Sequence, residues 1–178
     1  MAEKVILKKD DIDKIINENS IRILSDINSI DELAIVGVQT RGVELANRLK
    51  SNIERMSGRE IKSGFVDITF YRDDLATRGE LPVIKETRID FPISGLTILL
   101  VDDVIFTGRT VKAAMETLTG FGRPHAIRLF ALIDRGNREL PIQPDYMGLR
   151  IETTIKDNIQ VLLSGMDGVE DSVLFYKG

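Results

Sequence analysis

Two adjacent carboxylates, Asp102 and Asp103, precede a Thr107-Gly108-Arg109-Thr110 turn, and this spacing suits a phosphorylated sugar. Gly108 lets backbone approach a ligand, Thr107 and Thr110 offer hydroxyls, and a helix starting near Arg109 aims unpaired N–H groups outward. Together these suit a phosphate. The carboxylates repel that phosphate, but they can accept hydrogen bonds from vicinal hydroxyls or hold a divalent cation through water. Diol acceptors on one side and a phosphate cradle on the other match a ribose 5-phosphate. The plainer alternative is an acidic turn before a Thr-capped helix; the attached cradle favours the ligand.

The surrounding elements must place this turn at a sheet edge. Residues 97–101, Thr-Ile-Leu-Leu-Val, form an unbroken apolar run that fits a central parallel strand and stops at Asp102. In an open α/β sheet, ligands bind at that carboxyl edge. Residues 33–38 read as the first core strand. Residues 43–56 read as the following helix, with Leu45, Ala46, Leu49 and Ile53 on one face. Between them Gly37-Val38-Gln39-Thr40-Arg41-Gly42 offers a second anion site, with a plain βα turn as the alternative. From Asp10, residues Ile12, Ile15, Ile16, Ile23 and Ile27 recur at helical spacing behind an acidic start.

Residues 64–71 read as a strand. Residues 72–92, with Gly79, Pro82 and Pro92, carry no core periodicity, so they read as a lid over the site or as a solvated hairpin. After the cradle, Val111, Ala114, Met115 and Leu118 face inward on a helix ended at 120–124. Residues 126–133 read as another buried strand, 137–148 as turn-rich, and 151–154, 159–163 and 173–176 as short strands.

The 178 residues fit one domain with a real core. Hydrophobic content of 43% with 29% charged residues excludes a disordered chain. Without cysteine, neither a disulfide framework nor a thiolate zinc site can form. The apolar runs are only strand length, and the first ten residues lack a signal-peptide core, so a cytoplasmic protein with no membrane association is expected. A net charge of −4 argues against non-specific nucleic-acid binding.

Residues 101–110 resemble the 5-phosphoribosyl-1-pyrophosphate (PRPP) motif of type I phosphoribosyltransferases: hydrophobic strand, acidic pair, apolar residues, then Thr-Gly-x-Thr. The resemblance implies an α/β fold with a central parallel sheet flanked by helices, a flexible loop and a small hood. It implies one domain over 1–178, with a core of about 30–135, the loop at about 72–92 (Arg72, Asp73 and Asp74) and a hood of about 134–154 plus the terminal segments. PRPP would then be held by Thr40, Arg41 and Gly42 at its pyrophosphate. Asp102 and Asp103, with Val104, Ile105, Phe106, Thr107, Gly108, Arg109 and Thr110, would hold its ribose 5-phosphate. Asp102, Asp103 and Arg41 would be the catalytic set, and Mg2+ would be carried mainly by PRPP and water.

Which base is used turns on two stretches. Relatives acting on 6-oxopurines carry an Asp before the first cradle Thr to serve the purine N7, whereas this chain has Phe106, which exchanges no proton. Thr40-Arg-Gly, Asp67-Ile-Thr-Phe-Tyr-Arg-Asp-Asp-Leu and Asp134-Arg-Gly-Asn-Arg-Glu-Leu-Pro-Ile are similar to the pyrimidine operon attenuation regulator family, PyrR. That resemblance implies uracil phosphoribosyltransferase activity, yielding UMP and pyrophosphate, with Phe106, Asp134 and Arg135 around the base. Alternatives are transfer to hypoxanthine or guanine, or phosphate binding without catalysis. It also implies binding of a pyrimidine-operon leader mRNA controlled by UMP or UTP, with Arg135, Arg138 and Arg150 as the nearest cations. Asn17, Ile21, Gln143 and Leu149 stand where basic or polar contacts are expected, which weakens that face. A homo-oligomer, dimer or higher, is expected.

Overall fold

The computed structural model describes residues 3–68 and 87–178. Five parallel strands form, β2 (Leu33–Val38), β3 (Lys62–Val66), β4 (Thr97–Ile105), β5 (Ala126–Asp134) and β6 (Tyr146–Arg150), of which β2, β4 and β5 grow from apolar runs too short for helices. They lie in the order β3-β2-β4-β5-β6, with β4 at the centre. All six residues of β2 are buried, as expected for a strand covered on both faces.

Alternate residues feed two cores. Leu33, Ile35, Leu99, Val101 and Phe130 join α1 (Lys9–Asp26) and α2 (Arg41–Ser57) on one face. Ala34, Val36, Ile98 and Leu100 join α3 (Arg109–Thr119) on the other. The first core extends to a second sheet of three antiparallel strands, ordered β1-β8-β7 and built from β1 (Glu3–Lys8), β7 (Asn158–Leu162) and β8 (Ser172–Tyr176). A single turn of helix, α4 (Ser164–Asp167), links β7 to β8.

Several expected bounds shift. The strand expected to stop at residue 101 runs on to Ile105, because Asp102, Val104 and Ile105 pair with Ala131, Ile133 and Asp134 of β5. The strand expected at 64–71 is Lys62–Val66; residues 69–71 lie outside the described residues. The strand expected at 151–154 falls instead at Tyr146–Arg150, inside a segment that its prolines and glycine mark as turn. Gly148 explains this: a Cβ there would stand 2.5 Å from Leu132 O and 2.9 Å from Ile15 Cγ2, so the missing side chain is what lets β6 lie between β5 and α1. The hood expected at 134–154 is therefore divided. Its last part is the edge of the central sheet, and the second sheet comes from the terminal segments. β1 went unforeseen because most of its residues are exposed and half are charged.

Candidate active site

The acidic pair lies in the last half of β4, where the apolar side chains on either side of it divide between the two cores. Leu99 and Val101 face the first core and Leu100 the second, yet beyond the pair Val104 returns to the first core and Ile105 to the second. The register with β5 runs on unbroken across the pair, from Asp102↔Ala131 to Val104↔Ile133. Asp102 is buried, with its Oδ1 accepting the Asp103 N–H at 2.9 Å, while Asp103 is half-buried.

The cradle follows at once. Gly108 has φ +93, a left-handed conformation that glycine adopts without strain, and it caps α3. Arg109 N–H donates to Thr107 Oγ1 at 3.3 Å, and the first turn of α3 carries no acidic residue, so the positive end of the helix is not neutralised there. Thr107 is buried, Thr110 half-buried and Arg109 exposed. Arg109 pairs with Glu139 at 2.6 Å.

The loop after β2 meets this edge through Gly42. A Cβ there would stand 2.4 Å from Val101 O and 3.2 Å from Asp102 Cα, so α2 starts directly against the acidic end of β4. Gly37 is likewise pressed, at 2.5 Å, on Val43 Cα. Both glycines thus serve close backbone packing. They bring Thr40 and Arg41 beside the pair, with a cis peptide at Gln39–Thr40. Arg41 donates from Nη2 to Asp167 Oδ1 at 2.8 Å, and its Nε is buried without a hydrogen-bond partner among the described residues.

The segment after β5 is folded onto the cradle by backbone and side-chain contacts. Glu139 and Leu140 donate their N–H groups to Thr107 O at 3.0 and 3.2 Å. Arg138 donates to Phe106 O at 2.7 Å and to Ile142 O at 2.9 Å, and pairs with the buried Asp134 at 2.7 Å. Asn137 Nδ2 donates to Thr153 O at 2.8 Å. Arg135 is 7% exposed, lies 4.0 Å from the centre of the Phe106 ring, and donates to Asp157 O and Thr154 O. Burial pushes its guanidinium pKa below the usual value, with Asp157 opposing the shift.

These contacts bear on the arginines expected to meet RNA. Arg135 is buried and Arg138 half-buried, and both are engaged by carbonyls, a carboxylate or a ring, which leaves them less open to RNA phosphates than an exposed cation. Of the three candidates only Arg150 is exposed. Of the site residues read from sequence, Thr40, Arg41 and Gly42 and the 102–110 run converge at one edge, and Phe106, Asp134 and Arg135 lie beside it. Arg72, Asp73 and Asp74 lie outside the described residues. Sequence reasoning missed Asp167 and the bracing role of Glu139. No local signal marks either, because each is defined by a partner distant in sequence.

The phosphoribosyl transferase domain family matches residues 4–164, so the fold and site define a phosphoribosyltransferase. A hypoxanthine-guanine phosphoribosyltransferase from Bacillus anthracis superposes with TM-score 0.73 over 99% of both chains, at 17% identity, a likeness of fold alone. Two relatives called "Bifunctional protein PyrR" are closer in sequence. The one from Caldicellulosiruptor bescii is 50% identical over 145 residues, 82% of this chain and 80% of its own. The one from Roseiflexus sp. (strain RS-1) is 44% identical over 177 residues, 99% and 97% of the two chains. The chain belongs to the PyrR family of phosphoribosyltransferases. Among the described residues, no helix is long and apolar enough to cross a membrane.

Proposed function

We propose that this chain transfers the phosphoribosyl group of PRPP to uracil, giving UMP and pyrophosphate. The observation that carries the reading is the meeting at one sheet edge of the α3 cradle, the acidic pair and the Arg41 loop. The uracil assignment is supported by the residue before the cradle: Phe106 brings no titratable group, and Arg135 covers its ring. In the reaction the bond from C1 to the pyrophosphate oxygen breaks while the uracil N1 bonds to C1 and its proton is lost.

Positive charge grows on the ribose and negative charge on the leaving group. Asp102 and Asp103 orient the ribose hydroxyls, the cradle anchors the 5-phosphate, and Arg41 meets the charge that develops on pyrophosphate. A Mg2+ ion fits as a companion of PRPP. Asp102 and Asp103 are hard oxygen donors, but no cluster of three or more acidic or histidine side chains among the described residues could hold a metal alone. The ion would supply further neutralisation of the pyrophosphate.

The relatives' shared designation as bifunctional supports a second role, nucleotide-dependent binding of a pyrimidine-operon leader mRNA. Such substrates and transcripts support a cytoplasmic location, and a homo-oligomer belongs to the same proposal. The central test is pyrophosphate release from PRPP with uracil, hypoxanthine or orotate as acceptor. Uracil-dependent release is expected. Transfer to hypoxanthine with none to uracil would overturn the assignment.

A further inference from the structure

Arg41 is held from outside its own loop. Its partner, Asp167, is 126 positions away in sequence and ends the short helix of the second sheet. That carboxylate is fixed: its Oδ2 accepts the Leu163 N–H at 2.8 Å, and its backbone N–H returns to Leu163 O. The junction is fastened again one step along α2, where Arg48 pairs with Asp171 and Glu44. The anchor beneath Arg41 is therefore rigid.

A guanidinium has five N–H donors in one plane. One is committed to Asp167 while the side chain stays 34% exposed, so an arriving acceptor can meet the outward donors without displacing the carboxylate. We propose that Asp167 is a positioning residue for pyrophosphate recognition: it fixes the plane of the Arg41 guanidinium so that the remaining donors meet the anion as PRPP binds. This rests on the reading of Arg41 as the pyrophosphate contact. The pair itself is partly exposed, 34% for Arg41 and 21% for Asp167, so it adds little to stability, and its loss reads in anion binding.

A double-mutant cycle tests this on the full chain, with PRPP turnover, inhibition by pyrophosphate, UMP affinity and thermal stability measured for each variant. Asp167→Ala is expected to raise the PRPP KM and the pyrophosphate inhibition constant about tenfold, and to add nothing once Arg41→Ala is present. UMP, which has no pyrophosphate, should bind as before. Asp167→Asn has one acceptor oxygen in place of two, so it can keep the Leu163 bond or the Arg41 bond but not both; it should show part of the alanine loss, and it carries the cycle if the alanine variant does not fold. The proposal is overturned if Asp167→Ala leaves pyrophosphate inhibition unchanged, or if its loss persists in the Arg41→Ala background, as a purely structural role requires. Wild-type pyrophosphate inhibition in Arg41→Ala alone shows instead that the Arg41 reading is at fault, and the proposal fails with it.

Discussion

Replacing Gly42 with alanine tests whether the site depends on how closely α2 approaches β4. The position is helical, so intrinsic propensity favours alanine by about 1 kcal/mol. The contacts oppose it: the new Cβ would lie 2.4 Å from Val101 O and 3.2 Å from Asp102 Cα, backbone atoms that no rotamer change can move. Ordinary contact begins at 3.4 Å, so the start of α2 must back away by roughly 1 Å. That displacement separates Arg41 from the acidic pair, and a misplacement of this size costs up to about 100-fold in rate. Overpacking should also lower stability by about 1–3 kcal/mol. Gly58→Ala is the control. Gly58 caps the far end of α2 at φ +67 with open space around it, so alanine there costs about 1–2 kcal/mol by backbone strain without shifting Arg41. Both variants would be measured for kcat/KM with uracil and PRPP and for urea unfolding. A folded Gly42→Ala enzyme with wild-type kcat/KM would refute the reasoning, as would a Gly58→Ala enzyme that loses as much activity.

Asp171 should confer stability that disappears in acid. Arg48, with help from the Ser164 backbone, holds its carboxyl at about 2 against an ordinary 3.8, although burial opposes the shift. A depressed folded value means that the contribution is present above about pH 4 and is lost as pH falls through 2. At 1.36 kcal/mol per unit it amounts to about 2 kcal/mol. Urea unfolding should show Asp171→Asn less stable by that amount at pH 7, with the gap closing near pH 2; a gap that ignores pH would contradict the assignment. For RNA, a titration of the organism's own leader transcript across a salt series should show weak binding with a shallow slope, since Arg135 and Arg138 are already engaged within the chain. Arg150→Ala should remove about one unit of that slope. Tight, UMP-dependent binding with a steep slope would show that other cations form the face.

The sequence alone carried the parts whose signal is local. Residues 33–38 are buried throughout and had to be a covered strand, and the observed β2 has those bounds. The expected helix start near Arg109 is where α3 begins, because glycine in a left-handed conformation directly before an amphipathic run ends one element and opens the next. Local pattern could not show that β4 continues through two carboxylates. Their places in the strand come from pairing with β5, and a propensity reading stops at charge. Nor could it show that Gly148 belongs to a strand, since the reason is the space claimed by Ile15 of α1. The arginines mark the same boundary most clearly. Arg41, Arg135 and Arg138 look alike on paper as free cations, yet Asp167, the Phe106 ring and Asp134 with the Phe106 carbonyl decide what each can do. Apolar periodicity is written along the chain because burial follows the geometry of one element. The role of a charge depends on which partner the fold brings to it, and only the tertiary structure supplies that partner.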